Sequence, residues 1–139
     1  MAKQRPFSAT IERLRGVGLR PTRQRLALAR VLFDNGDRHV TAEALHLEAA
    51  AAGVKISLAT VYNTLHQFTN AGLLREVVVE PGRSYFDTNV ADHHHFFFQD
   101  TGSLQDIPGE RVTVAAMPDA PEGTEIDRVD VIVRLKSND

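Results

Sequence analysis

The chain has 139 residues, is 42% hydrophobic, and contains six histidines but no cysteine. No apolar run approaches the ~20 residues of a membrane-spanning helix, and the basic start, residues 1–7, lacks the apolar core of a secretory signal. The missing cysteines exclude disulfides, thiolate metal sites and cysteine nucleophiles. Residues 1–70 carry 10 Lys and Arg against 5 Asp and Glu, whereas residues 71–139 carry 6 against 13. We therefore expect a cytoplasmic protein whose arginine-rich first half is suited to nucleic acid.

Four helices are predicted in the first half, each from apolar residues at helical spacing behind a capping residue. Their candidate N-caps are Ser8, Thr22, Thr41 and Ser57. The helices are expected to end at residues 16–18, 34–36, near 53 and at 70–72. The short turn before the fourth helix gives a helix-turn-helix pattern. Strands at 73–79 and 84–87, joined by a turn at 80–83, then predict the wing of a winged helix.

The second half is predicted to be a small separate domain after a linker at residues 88–92. Its strand candidates are 95–99, 103–107, 111–117 and 126–135. So short a segment cannot bury a full core alone, so we expect it to pair with its copy in a homodimer. The fold class is therefore α+β: a winged helix-turn-helix domain over residues 1–88 and a small α/β dimerisation and ligand-sensing domain over residues 93–139.

The fourth helix is the expected recognition helix, whose polar residues near the N-terminus reach base edges in the major groove. This set is Ser57, Thr60, Tyr62 and Asn63. Asn bonds two atoms of adenine at once, and Tyr packs on thymine methyl groups or donates to phosphate. The set is uncharged, so positive charge must come from the start of the second helix, where arginines suit phosphates and narrow A/T-rich minor grooves. The candidates there are Arg20, Thr22, Arg23 and Arg25.

Three of the six histidines are consecutive: His93, His94 and His95. In an extended backbone alternate side chains share a face, so His93 and His95 can bind one ion while His94 points the other way. A mixed His and carboxylate set suits Fe, Mn, Zn or Ni, and imidazole is also an axial ligand of haem iron. The candidates for further ligands are His39, Asp87 and Asp106.

These residues together resemble the ferric uptake regulator superfamily over about residues 10–107. The most specific part is Ser57-Leu58-Ala59-Thr60-Val61-Tyr62-Asn63-Thr64-Leu65. Matching segments elsewhere are Leu14-Arg15, residues 18–22, Arg25, His39, Tyr85-Phe86-Asp87 and the His triplet. Within the superfamily the sequence is most similar to the iron response regulators (Irr) of rhizobia and related alphaproteobacteria, which share the His-His-His-Phe run and the short tail.

The resemblance implies a dimeric repressor or activator of iron-uptake and haem-biosynthesis genes, bound to A/T-rich double-stranded DNA. It implies that Arg20 reaches a minor groove and that Tyr62 contacts bases. The family's inter-domain metal site would fall on His39, Asp87, His93, His95 and Asp106, with aspartate at two positions where glutamate is usual. The similarity to iron response regulators further implies that haem binds the His triplet and lowers DNA affinity or protein lifetime, with a haem-donating enzyme as a further partner.

The sequence departs from the family pattern in four ways. Phe98 and Thr101 stand where the family has a Cys-x-x-Cys clamp, so no structural Cys₄ zinc is expected. Asn63 replaces the arginine usual after the recognition tyrosine, and Asp130 stands where a second metal site usually has histidine. A haem-regulatory Cys-Pro motif is also missing.

Three other functions fit parts of the pattern. A related repressor could sense Mn, Zn or peroxide rather than haem. A metal-dependent hydrolase could use the His triplet, but the chain has no phosphate loop, nucleophile elbow or paired-carboxylate signature, so we expect no enzyme. A non-specific architectural DNA binder would use the basic segment without reading sequence.

Overall fold

The computed structural model describes residues 8–138 and divides between Val90 and Ala91 into two compact units. The elements of the first unit are α1 (Ser8–Gly16), α2 (Arg23–Phe33), β1 (His39–Val40), α3 (Ala42–Ala51), α4 (Leu58–Asn70), β2 (Arg75–Glu80) and β3 (Arg83–Asp87). Those of the second unit are β4 (His93–Phe98), β5 (Ser103–Pro108), a 3₁₀ turn (Gly109–Arg111) and β6 (Ile132–Leu135). The expected α+β fold, with a winged helix and a small C-terminal domain, is confirmed.

Hydroxyl side chains begin three of the helices, as the sequence predicts. Thr22, Thr41 and Ser57 are in extended conformation and each accepts a hydrogen bond from the backbone N–H three residues further on. These bonds satisfy N–H groups that the first helical turn leaves without a carbonyl partner. At the other end of α4, Gly72 has φ +86, a left-handed conformation in which a side chain would be strained. The ends of the helix-turn-helix are thus fixed by local chemistry.

The core of the first unit lies between α1–α4 and the sheet. The largest buried apolar side chains from the helices are Leu14, Leu28, Leu32, Leu45, Leu65 and Phe68. The stripe of α4 buries Val61, Leu65 and Phe68 completely, and this leaves its polar side facing away from the core. Burial of the apolar stripe therefore orients the polar residues of the recognition helix.

The wing is the antiparallel hairpin β2–β3, and β1 extends it to a three-stranded sheet in the order β1-β3-β2. The turn contains Gly82, at φ +75, and a bulge lies between Val78 and Glu80. The two-residue strand β1 is not predicted from the sequence. It pairs His39 with Asp87 at the far end of β3.

The second unit is a three-stranded sheet in the order β5-β4-β6, in which β4 and β5 are antiparallel while β6 runs parallel to β4. Side chains of β4 alternate between buried and half-buried, so His93, His95 and Phe97 share the buried face. His94, Phe96 and Phe98 share the half-buried face. The alternation predicted for the histidines is confirmed.

The strand predicted at 111–117 is wrong, and the strand predicted at 126–135 is too long. Residues 112–131 have no regular structure apart from a turn, and pairing begins only at Ile132. Val114, Met117 and Ile126 remain substantially exposed. The alternating valines indicate extended backbone, but in the described part of the chain residues 112–131 pair with no strand, apart from the Val131 carbonyl, which accepts from the His95 N–H at 3.2 Å. Among the residues that the structure describes, no helix has the length and apolarity to cross a bilayer.

Candidate DNA-reading surface and metal-ligand pairs

The first turn of α4 is stabilised by its own hydroxyl groups. Ser57 Oγ accepts from the Thr60 N–H at 3.1 Å and donates to Thr60 Oγ1 at 2.9 Å. The hydroxyl groups of Ser57 and Thr60, both predicted to contact DNA, therefore already form hydrogen bonds at the start of the helix. A hydroxyl oxygen has two lone pairs, so Thr60 Oγ1 can still take part in a further hydrogen bond.

Tyr62 and Asn63 follow on the next turn of α4. Asn63 is exposed, and within residues 8–138 its side chain makes no hydrogen bond. Tyr62 is half-buried, and its hydroxyl donates to Glu43 Oε1 at 2.6 Å. This hydrogen bond raises the pKa of Tyr62 and lowers the pKa of Glu43, because it favours the phenol and the carboxylate over the phenolate and the acid. The role of Glu43 is not visible in the sequence, because a glutamate in the first turn of a helix is ordinary in any helix.

The arginines before and within α2 have different surroundings. Arg20 and Arg23 are exposed, and no ion pair or hydrogen bond holds their guanidinium groups within the part of the chain described. The guanidinium of Arg25 is instead held by two hydrogen bonds, which it donates to Gln67 Oε1 on α4 at 3.1 Å and to the Arg20 carbonyl at 2.9 Å. Arg25 therefore links α4 to the segment before α2.

In the second unit the structure brings His93, His95 and Asp106 together. The Nε2 atoms of His93 and His95 lie 3.5 Å and 3.4 Å from the same oxygen, Asp106 Oδ1. Both imidazoles are buried, at 4% and 3% exposure, and their ring centroids are 4.6 Å apart. Two buried nitrogens therefore converge on one carboxylate oxygen.

These distances test whether the residues fit a metal ion. Zn–N and Zn–O bonds of about 2.1 Å at the tetrahedral angle place neighbouring ligand atoms about 3.4 Å apart. The observed separations match that value and exceed the usual ~2.7–3.2 Å of an N–H···O bond. His93 Nδ1 lies 2.5 Å from the Ala91 carbonyl, which places the ring proton on Nδ1 and leaves the Nε2 lone pair available. Each histidine and aspartate pair therefore has the separation of two ligands of one divalent ion.

A second histidine and carboxylate pair lies in the first unit, where β1 meets β3. His39 Nε2 is 3.5 Å from Asp87 Oδ2, and Asp87 is 1% exposed. The other oxygen, Asp87 Oδ1, accepts from the Asn89 N–H at 2.9 Å, which orients the carboxylate. This pair has the same separation as the pairs in the second unit and fits an ion equally well.

His94 is engaged differently from its neighbours. Its Nδ1 accepts a hydrogen bond from the Val131 N–H at 3.1 Å, just before β6 begins. A neutral imidazole that accepts at Nδ1 carries its proton on Nε2. His94 can therefore give Nε2 to a metal only if its proton changes place and the bond to Val131 is released.

Polar side chains form hydrogen bonds at the turn between β4 and β5, where the sequence has no Cys-x-x-Cys clamp. Phe98 ends β4 and Thr101 lies in the turn, with Thr101 Oγ1 2.9 Å from Ser103 Oγ. Between them, Asp100 accepts from both the backbone N–H and the hydroxyl of Ser137. A carboxylate thus joins the turn to the C-terminal segment.

The first unit is a winged-helix DNA-binding domain, and with the histidine and aspartate pairs it defines a class of metal-responsive DNA-binding regulator. The sequence model of the Ferric uptake regulator family matches residues 16–133 of this chain. The ferric uptake regulation protein of Shigella flexneri is 35% identical over 100 residues, covering 71% of this chain and 68% of that protein. The chain belongs to the ferric uptake regulator family.

Solved structures agree with that assignment. The Ferric uptake regulator from Pseudomonas aeruginosa, solved with manganese, is 25% identical with a TM-score of 0.68, covering 92% of this chain and 97% of that one. The Vibrio cholerae ferric uptake regulator has the same fold at 23% identity, with a TM-score of 0.71 over 92% of this chain and 99% of its own. Members of the family are metal-responsive transcription regulators, not enzymes, which bind DNA and act as dimers.

Proposed function

We propose that this chain is an iron-responsive repressor or activator whose affinity for A/T-rich operators depends on a divalent ion bound by His93, His95 and Asp106. The observation that carries the proposal is the convergence of two buried imidazole nitrogens on one aspartate oxygen. His and carboxylate ligands favour Fe(II), Mn(II) or Zn(II) over a thiophilic metal. Manganese in the Pseudomonas aeruginosa relative agrees with such a set.

We further propose that His39 and Asp87 also bind a divalent ion. Their separation of 3.5 Å is that of two ligands of one ion, and the Asn89 N–H orients the carboxylate. In a dimer the spacing of the two recognition helices must match about 34–36 Å, one turn of DNA. A metal that favours this spacing would shift the population towards the DNA-binding form.

Sequence reading is assigned to the exposed start of α4, and backbone contact to Arg20 and Arg23. Asn63 is exposed, and its carboxamide can bond adenine at two positions at once. Arg20 and Arg23 are exposed and held by no other side chain of residues 8–138, so they are available to phosphates or to a narrow minor groove. The regulator would work in the cytoplasm, where the operators are.

Asn63→Ala and Arg23→Ala should weaken DNA binding in different ways. Asn63→Ala should cost about 1–3 kcal/mol on the operator and much less on scrambled DNA, because it removes a base contact. Arg23→Ala should weaken both DNAs alike and reduce the dependence of log K on log salt by about one phosphate contact. Fluorescence anisotropy at several salt concentrations measures both effects. Equal losses of Asn63→Ala on operator and scrambled DNA would contradict the assignment.

Haem is a second candidate effector, favoured by the half-buried face of β4. That face carries His94 and Phe96, and Phe96 borders an open hollow of about 560 Å³. The hollow is lined by apolar side chains, Ile107, Val112 and Val133 among them, and by the polar side chains of Gln105, Asp106, Glu110 and Arg111. An imidazole and an aromatic ring on one face of a strand suit a porphyrin. In this second candidate, haem binds His94 and the metal ion binds the opposite face of β4. Binding of His94 to the haem iron would release the Val131 N–H, and haem binding would thereby affect the position of β6.

Haem titrations separate these two faces. If haem uses His94, His94→Ala should lose the Soret shift while His93→Ala/His95→Ala keeps it. Loss in the second variant alone would move haem to the metal-binding face. An unchanged Soret band in the triple variant His93→Ala/His94→Ala/His95→Ala rules out haem ligation by the triplet.

Footprinting on genomic fragments with added Fe, Mn, Zn, haem or peroxide tests the whole proposal. We expect protected A/T-rich sites whose occupancy changes with Fe or haem. Occupancy that depends on Mn, Zn or peroxide alone would favour the related sensors. Equal protection of all fragments under every condition would support the architectural binder instead.

A further inference from the structure

The hydroxyl of Tyr62 is already committed as a donor on the surface assigned to DNA. It donates to Glu43 Oε1 at 2.6 Å, a short bond of the kind formed between a hydroxyl and a carboxylate. The two residues border an open hollow of about 480 Å³ between α4 and the wing, to which Arg83 and Phe86 also contribute. Glu43 is exposed and lies in the first turn of α3. The bond therefore lies at the surface, beside the exposed start of α4.

A phenol hydroxyl has one proton, so this bond determines what Tyr62 can recognise. With the proton directed to Glu43, the oxygen can only accept a further hydrogen bond. Phosphate oxygens, thymine O4, guanine O6 and purine N7 are all acceptors and cannot pair with it. The donors in the major groove are the amino groups of adenine and cytosine. The remaining contact is between the ring and a thymine methyl group.

The charge of Glu43 adds a second constraint. A carboxylate beside the DNA surface repels phosphates, so it lowers affinity for every sequence. The same charge strengthens Tyr62 as an acceptor, because a hydrogen bond donated to an anion increases the electron density on the donor's oxygen. A residue that weakens binding to every sequence while shaping one base contact raises specificity and lowers affinity.

We propose that Glu43 is a specificity-determining positioning residue, which holds the Tyr62 hydroxyl as an acceptor for a base amino group and keeps it from donating to phosphate. The proposal rests on the proposed insertion of α4 into the major groove. Glu43 acts through Tyr62 and itself needs no contact with DNA.

Two substitutions separate the hydrogen bond from the charge. Glu43→Ala removes both the acceptor and the charge, whereas Glu43→Gln removes the charge but keeps an amide oxygen at the same reach. Both should bind scrambled DNA more tightly than the wild type, because a repulsive charge is gone. The ratio of operator to scrambled affinity should fall about three- to tenfold in Glu43→Ala, the value of one hydrogen bond. Glu43→Gln should retain most of the ratio.

The Tyr62→Phe background tests whether Glu43 acts through the hydroxyl. In that background Glu43→Ala should leave the ratio of operator to scrambled affinity unchanged. An equal ratio in Glu43→Ala and the wild type would overturn the proposal. So would a Glu43→Gln ratio as low as that of Glu43→Ala, or a loss on Glu43→Ala that persists in Tyr62→Phe.

Ultraviolet titration of the free protein tests the bond without DNA. The chain has two tyrosines, and Tyr62→Phe identifies the contribution of Tyr62. We expect the pKa of Tyr62 to fall in Glu43→Ala, since the bond to Glu43 raises it in the wild type. No change in the pKa would overturn the proposal. A wild-type chain with a raised Tyr62 pKa but no preference among DNA sequences would instead refute the proposed function on which the reading role depends.

Discussion

Replacing both buried histidines of the second unit, as His93→Ala/His95→Ala, should lower the affinity for Mn(II) or Fe(II) by at least ~100-fold, since residues that merely support a ligand already contribute about 10–100-fold. Two of the three converging ligand atoms would be gone. Operator binding should then no longer respond to added metal. Calorimetric titration with Mn(II), together with anisotropy on operator DNA with and without the ion, measures both effects.

His46→Ala is the matched control, because His46 is a half-buried histidine on α3 outside the converging groups. It should keep the metal affinity and the metal response of the wild type. Asp106→Asn should fall between the two, since an amide oxygen can still coordinate but lacks the negative charge. A double-histidine variant that binds Mn(II) like the wild type would refute the metal assignment.

Phe68→Ala should destabilise the winged-helix unit by about 3–5 kcal/mol, a large part of the ~5–15 kcal/mol that holds a typical domain together. Phe68 is completely buried at the centre of the core, with its ring 6.4 Å from that of Phe33. The loss combines the transfer energy of the ring with the cavity that remains. Urea unfolding followed by circular dichroism measures it.

Phe68→Leu is the control for that measurement, because a leucine fills most of the volume and should cost less than ~1.5 kcal/mol. DNA binding by Phe68→Leu should be close to normal, because the polar face of α4 is unchanged. Equal unfolding midpoints for Phe68→Ala and Phe68→Leu would show that the ring does not pack as the structure has it.

Sequence reasoning succeeded where the signal is local. The capping hydroxyls, the apolar stripe of α4 and Gly72 each predict a structure within a few residues of themselves, and the structure confirms α2, α3 and α4. The hairpin β2–β3 was predicted for the same reason, since its turn and alternating strands are contiguous. The alternation of the His triplet followed from strand geometry alone.

The failures concern partners distant in the chain. β1 has two residues, too few to show any periodicity, and it is a strand only because β3 lies beside it. Residues 112–117 alternate like a strand but pair with no strand among the residues that the structure describes. The bond from Tyr62 to Glu43 spans 19 residues and two helices, so neither residue type predicts it. The bond between His94 and Val131 likewise depends on where β6 docks.

The parallel pairing of β4 with β6 has a consequence for the order of folding. His95 pairs with Ile132, 37 residues away, whereas Phe98 and Ser103, which pair across the β4–β5 hairpin, are only five residues apart. Closing the longer loop costs about 2 kcal/mol more in chain entropy, and nothing regular within it repays that cost early. The hairpins should therefore form first and β6 should dock last, as a slower phase in refolding experiments. In the native protein the backbone amides of β6 should exchange with solvent hydrogen faster than those of β4. The strand that docks last in folding should also be the first to detach in local unfolding.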